Sequence, residues 1–315
     1  TTRMARTTPH ARPRSARARG ITTFRRERWL YIAFLMPLVA LLVLLTLYPI
    51  GQSIYTSFTN LNLARPNAPQ LFVGLANYRT MFESDIFRVT LRNTLVMLFG
   101  AVTVQLVLGF VLALLLDREL PGIGVVRTLL LLPLMVTPVI GALVWSLMLN
   151  PSTGVVNYLL TLVGWSNPPV WLGSGNLAMM SIILVDAWQW TPFVMLLLLA
   201  GLQGIPVEFY EAAELDGASF LQRVRHIILP MLRPLIGVVL LLRVMDAFKI
   251  FDKIYILTAG GPGSATETVA FHAYRQGFGF FRMGYASAIS MVLLAVVLIV
   301  SIVLIQRTQS EGAHA

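Results

Sequence analysis

Six long apolar runs dominate this chain, at 29–50, 91–116, 127–149, 177–202, 231–251 and 285–306, and shorter polar stretches separate them. Each is about 20 residues long, enough at 1.5 Å per residue to cross a hydrocarbon core of about 30 Å. In lipid the backbone must hydrogen-bond within its own segment, so the runs predict six spanning helices and an all-α polytopic membrane protein. Pro37, Pro133, Pro138 and Pro192 fall inside these runs and predict kinks. Trp29, Tyr48, Trp145 and Tyr285 sit at run ends, as an aromatic belt would.

Composition agrees with a chain that lives in lipid. Hydrophobic residues make up 57% and charged residues 12%, against about 25% charged in soluble domains. There is no cysteine, so disulfides and thiolate metal sites are excluded and the redox compartment is not legible. Histidines at 10, 226, 272 and 314 have no metal-ligand spacing. A net charge of +10 would point to nucleic acid in a soluble protein, but nine of the 24 basic residues lie in the first 28 positions. Residues 1–28 therefore read as a disordered basic tail that orients the chain and touches anionic lipid, with no nucleic-acid partner. The apolar run that follows is too long for a secretory signal and lacks a small-residue cleavage site, so it is expected to stay uncleaved. Residues 29–307 form the membrane domain, with a loop at 203–230, and 308–315 a second tail.

Orientation follows from Lys and Arg. With the amino terminus inside, inner segments carry fifteen, outer loops six, and the spans Arg92, Arg243 and Lys249. Both termini are expected in the cytoplasm, although the excess rests on the tail.

This topology puts an acidic knuckle, "EAAELDGAS", in the cytoplasm between the fourth and fifth spans. Pro206 suits a first helical turn, Glu208 the positive end of the helix dipole, and Gly217 a left-handed stop. A second amphipathic helix is expected through Phe220, Val224 and Ile227, ending at Pro230. Charge alone also fits a solvated connecting loop. A DNA-binding helix-turn-helix fits poorly, because the acids would repel phosphate.

The stretch "EAAELDGASFLQRVRHIILPMLRP" resembles the signature loop of permease subunits of bacterial ABC importers, which matches at Glu211, Ala212, Ala213, Gly217, Ile227, Leu229 and Pro230. The resemblance implies a coupling helix that docks on an ATP-binding subunit, with Asp216 beside the turn. "VMDAFKIFDKIYILTAGGPGSATETVAFHAYRQGF" and "GYASAIS" narrow it to the sugar-importing branch, and to the partner-subunit type of the maltose permease. The large periplasmic insertion and extra amino-terminal helices of that permease are missing. The implied fold is a six-helix type I importer permease in a bacterial or archaeal cytoplasmic membrane. The implied partners are a second homologous permease, two ATPase subunits that hold ATP and magnesium, and an extracytoplasmic sugar-binding protein.

The chain itself is expected to bind no cofactor and to be no enzyme. A phosphate loop needs a Gly-Lys pair, and the only lysines, Lys249 and Lys253, follow Phe248 and Asp252. Gly260, Gly261 and Gly263 around Pro262 read as an extracytoplasmic turn. What the spans do carry is polarity. Asp186, Gln189, Trp190 and Phe193 share one helix face, and Arg243, Asp246 and Lys249 repeat at three-residue steps. Acids, amides and bases beside flat rings match the polar edges and apolar faces of a sugar. The resemblance places Asp186, Gln189, Trp190, Phe193, Asp246 and Lys249 at sugar-contacting positions. The competing reading is that Asp186 pairs with Arg243, or Asp246 with Lys249, and only glues helices together. An ion-coupled secondary sugar transporter is the alternative from another class, but it needs no acidic docking loop.

Overall fold

A computed structural model describes residues 20–118 and 121–312, with side chains from residue 31 to residue 307. Five helices are long and apolar enough to span, Tyr31–Ser57, Asp85–Leu116, Gly175–Gln203, Phe220–Ala247 and Met283–Arg307. The third run is two helices, Ile123–Met135 (α5) and Pro138–Met148 (α6), bent by 98° at the break, and it makes the sixth span if the pair is taken as one. Pro138 has no N–H to continue the ladder, and it pushes Thr137 and Val136 into extended backbone. Among the described residues there is no strand, only one isolated bridge from Thr59 to Phe72.

Residues up to Ser53 form one unit. It holds the helix Gly20–Leu42 (α1), a π turn at Val43–Leu47 and the start of Tyr48–Ser57 (α2). Residues 1–19 of the expected tail lie outside the described residues, and 20–28 belong to α1.

The second unit runs from Ile54 onward. Its short helices Ala76–Glu83 (α3) and Val155–Leu162 (α7) flank the long ones. The helix Gly175–Gln203 (α8) is the most enclosed of the spans, with 61% of its most apolar window buried. Its main neighbour is Asp85–Leu116 (α4). The two run parallel, since Gly100 meets Ile183 and Gly109 meets Val194 further along both. A Cβ at Gly109 would sit 2.7 Å from Val194 Cγ1, so the helices close this far only because the position is glycine. Small residues at such crossings matter more in lipid than in water, where apolar burial alone would drive association. Leu229–Ala247 (α11) runs the other way, with Leu232 against Gly201 and Arg243 against Asp186. Val194, Met195 and Leu198 of α8 pack with Ala113 and Leu116 of α4 and Leu232 and Val239 of α11.

The loop 203–230 contains Val207–Leu215 (α9) and Phe220–Arg223 (α10). The second helix does not stop at Pro230 as the sequence predicts. It passes through a π turn at Val224–Ile228 into α11, and Leu229 N bonds Val224 O across that turn. The wider turn carries the helix past the N–H that Pro230 lacks. The fifth span also ends early, at Ala247, so Lys249 lies in a turn. Asp252–Leu257 (α12), the Gly260 and Gly263 turn at φ +83 and +64, and Val269–Tyr274 (α13) then lead to Met283–Gly312 (α14).

Candidate functional site

Two clusters collect the predicted residues, one at the α9–α10 elbow and one in the middle of the spans.

At the elbow, Gly217 ends α9 with φ +69. Gly217 N donates to Glu214 O at 3.1 Å and Ala218 N to Ala213 O at 2.9 Å, the paired bonds of a Schellman stop. Ser219 then caps α10 in a reciprocal box with Gln222. The turn is thus specified on both sides, and the two helices hold a fixed angle. Ala212, Ala213, Asp216, Gly217 and Ile227 line a groove of about 450 Å³ between them. Glu211 stands exposed beside it, whereas Leu229 and Pro230 sit at the start of α11, outside the groove. Burial raises the Tyr210 phenol above its ordinary range, and the nearby Asp117 carboxylate raises it further. Burial likewise raises Asp117, against the lowering pull of Arg127.

The elbow holds a feature that its acids conceal in the sequence. Leu215 is 90% and Leu221 73% exposed, with Phe209 and Phe220 exposed nearby. Phe209 and Leu215 lie between the spans Gly175–Gln203 and Phe220–Ala247, and Phe220 and Leu221 lie at the first turn of the latter. Contiguous exposed apolar groups of this kind mark a protein interface.

In the spans, Asp186 is 2% and Arg243 2% exposed, and both are paired. Asp186 Oδ2 accepts from Gln105 Nε2 at 2.7 Å and lies 3.4 Å from Arg243 Nη2, while its Oδ1 accepts from Lys253. Arg243 Nε donates to Gln105 Oε1 at 2.8 Å and Nη1 to Asp246 Oδ2 at 2.8 Å. The guanidinium also lies 4.5 Å over the Trp190 ring. Gln105 therefore relays between cation and anion, donating with its amide and accepting with its carbonyl. Two acids and two bases cancel, and the cluster ties α4, α8, α11 and α12 together.

Sequence reasoning missed Gln105 and Lys253. Gln105 is a neutral residue in an apolar run, and Lys253 falls in a segment counted as an outer loop. The signal for Lys253 is the early end of α11, which lets α12 fold the lysine back to Asp186. Asp246 keeps half of its carboxyl side exposed and lines a cavity of about 90 Å³ with Trp190, Lys249 and Lys253. Lys249 itself is exposed and pairs with neither acid. Phe193 meets Trp190 edge-on at 6.1 Å and packs into the α4–α8 core rather than the cavity.

Gln189 reaches the bend between α5 and α6. Its Nε2 donates to Val136 O at 2.7 Å, which satisfies a carbonyl freed by the α5–α6 break. The site of the bend and the amide that holds it are thus on different spans.

The family described as "Binding-protein-dependent transport system inner membrane component" matches residues 124–311, which hold the elbow and most of the buried cluster. The chain belongs to this family. It is a multi-pass inner-membrane transport subunit and not an enzyme. The "Probable ABC transporter permease protein y4oQ" of Sinorhizobium fredii is 39% identical over 92% of this chain and 94% of its own length. The "Trehalose/maltose transport system permease protein MalF" of Thermococcus litoralis is 38% identical over 88% of this chain and 93% of its own. A chain from a crystal structure described as "a bacterial ABC transporter involved in the import of the acidic polysaccharide alginate" superposes with a TM-score of 0.80 at 24% identity, over 92% of this permease and 98% of that chain. That match establishes the type I importer permease fold.

Proposed function

We propose that this permease forms half of the path by which an ATP-driven importer carries a sugar across a bacterial or archaeal cytoplasmic membrane, with both termini cytoplasmic. The observation that carries the proposal is the elbow, where Leu215 and Leu221 stand in water on a rigid, acid-rimmed turn. One of two ATPase subunits, holding ATP and magnesium, covers them. Closure of the ATPase pair moves the elbow, and α10 transmits the motion directly because it is continuous with α11. Glu211, Asp216 and Gly217 thus transmit force and do no bond chemistry.

A second homologous permease completes the path, and an extracytoplasmic binding protein delivers the cargo to the amino ends of α4, α8 and α14. The trehalose/maltose relative supports a saccharide as cargo, and so does the cavity chemistry of Asp246, Trp190 and Lys249. At about 90 Å³ that cavity, in this chain alone, is well below the roughly 300 Å³ of a small ligand site, so cargo needs it to widen. Opening it requires α8 and α11 to part, which strains the Asp186–Arg243 pair. An ion-coupled carrier is disfavoured by the same cluster, because Lys253 and Arg243 already satisfy Asp186.

Reconstitution tests the reading. Vesicles that contain this permease, its paired permease, the ATPase and the binding protein should take up radiolabelled trehalose or maltose only with ATP. Uptake driven by an ion gradient without the ATPase would overturn it.

A further inference from the structure

A polar cavity beside the amino ends of α4 and α14 shares no lining residue with the cavity at the charge cluster. It measures about 390 Å³, within the size range of small-ligand sites. Asn60, Asn77, Thr80, Gln276, Arg282 and Tyr285 contribute to its walls, and His272 to its floor. It is firmly built. Asn77 Nδ2 donates to Ser57 O and Thr59 O, both at 2.8 Å, which fixes the loop on one side. A Cβ at Gly284 would lie 2.1 Å from Thr59 O, so the start of α14 presses on that loop as only glycine allows.

Two buried groups in this pocket have no partner. Gln276 is 8% and His272 1% exposed, yet Gln276 Oε1 and His272 Nε2 are without a hydrogen bond. His272 Nδ1 lies 2.7 Å from Glu267 Oε1. A carboxylate only accepts, so Nδ1 carries the proton, and in the neutral ring Nε2 offers a lone pair. Glu267 already has Arg275 Nη1 2.9 Å from its other oxygen, in an ion pair whose angle falls short of a hydrogen bond. Gln276 Oε1 is thus an orphaned acceptor, and His272 Nε2 is one in the neutral ring. A buried acceptor without a donor is costly, so the pocket favours an occupant rich in donors. Gln276 also lies in the π turn Arg275–Gly279, and such turns are frequent at functional sites. Arg282 and the wall amides add donors, and the Tyr285 ring adds a flat face.

Acceptors and donors interleaved beside a ring are what adjacent hydroxyls on a saccharide bind. We infer that this pocket is a saccharide subsite on the extracytoplasmic face, which receives cargo before it enters the membrane. The inference rests on the sugar reading above and adds a second site to it, distinct from the cavity at Asp246.

Saturation-transfer NMR of the purified permease and ATPase complex with trehalose, and separately maltose, tests it. Contact in the wild type should weaken at least tenfold in Gln276→Leu and severalfold in Arg282→Ala, an exposed position that leaves the fold intact, and should persist in Asp246→Ala. Signal that is lost in Asp246→Ala and unchanged in Gln276→Leu and Arg282→Ala would overturn the subsite and leave the sugar reading standing. No signal in the wild type would overturn the subsite, with the cargo then decided by the uptake assay alone. Full signal in both pocket variants together with weakened capture of the binding protein would mean that a polypeptide side chain fills the pocket, and would overturn it too.

Discussion

The elbow and the mid-span cluster both hold carboxylates, and they use them in opposite ways. At the elbow Glu211 and Asp216 are free in water, and Glu214 has only Arg223, 3.9 Å away. In the spans Asp186 meets three donors and is almost sealed. An exposed charge costs little and an exposed pair gives roughly 0–1 kcal/mol, so the acids outside specify partner and orientation but hold nothing together. A charge within the membrane must be matched, and the match is structural as well as functional. In each region the informative residue is the one its surroundings penalise, Leu215 in water and Asp186 in lipid.

The largest effect should come from breaking the match. Arg243→Met keeps the stem but leaves Asp186 with Lys253 and Gln105 and strips Asp246 of its pair. Removing one member of a buried ion cluster costs about 3–5 kcal/mol. Thermal unfolding of the purified protein in detergent should therefore fall steeply for Arg243→Met, and partly recover in the double variant Arg243→Met with Asp246→Asn. Equal stability of the single variant and the wild type would mean that the cluster is not the fastener described here.

Much of this was legible in the sequence, because run length and the absence of internal bonding partners in lipid leave few choices of fold. The elbow was legible because turn chemistry is local, as Pro206, Gly217 and Ser219 act on their own neighbours. The cluster was half legible. Asp186, Arg243 and Asp246 stand out as charges in apolar runs, but Lys253 reaches them only because α11 ends at Ala247, a boundary set by tertiary packing. Gln189 was read as a sugar contact from its face on α8. The structure turns it to Val136 O, a partner created by a proline 51 residues earlier, and periodicity carries no trace of that pairing.

Gln189 also supplies an intermediate effect. Gln189→Leu keeps the volume but leaves Val136 O without a donor beside Pro138, at a cost of roughly 1–3 kcal/mol. Stability should drop by that amount, and Gln189→Met, which has no donor either, should not restore it. Wild-type stability with weakened saccharide binding would instead return Gln189 to the cargo path.

The smallest effect on the fold should be the most specific for function. Leu215 touches little in this chain, so Leu215→Ser should leave unfolding within about 0.5 kcal/mol of the wild type. Covering a leucine at an interface is worth about 1.5 kcal/mol or more, so the same change should weaken ATPase docking roughly tenfold, read by titrating the ATPase onto the purified permease pair. Glu211→Gln, which alters only charge, should slow association and lose its effect in high salt, while Leu215→Ser should act on dissociation at any ionic strength. If both variants instead responded alike to salt, the apolar tip would have no contact of its own, and the elbow would be gripped by its acids alone.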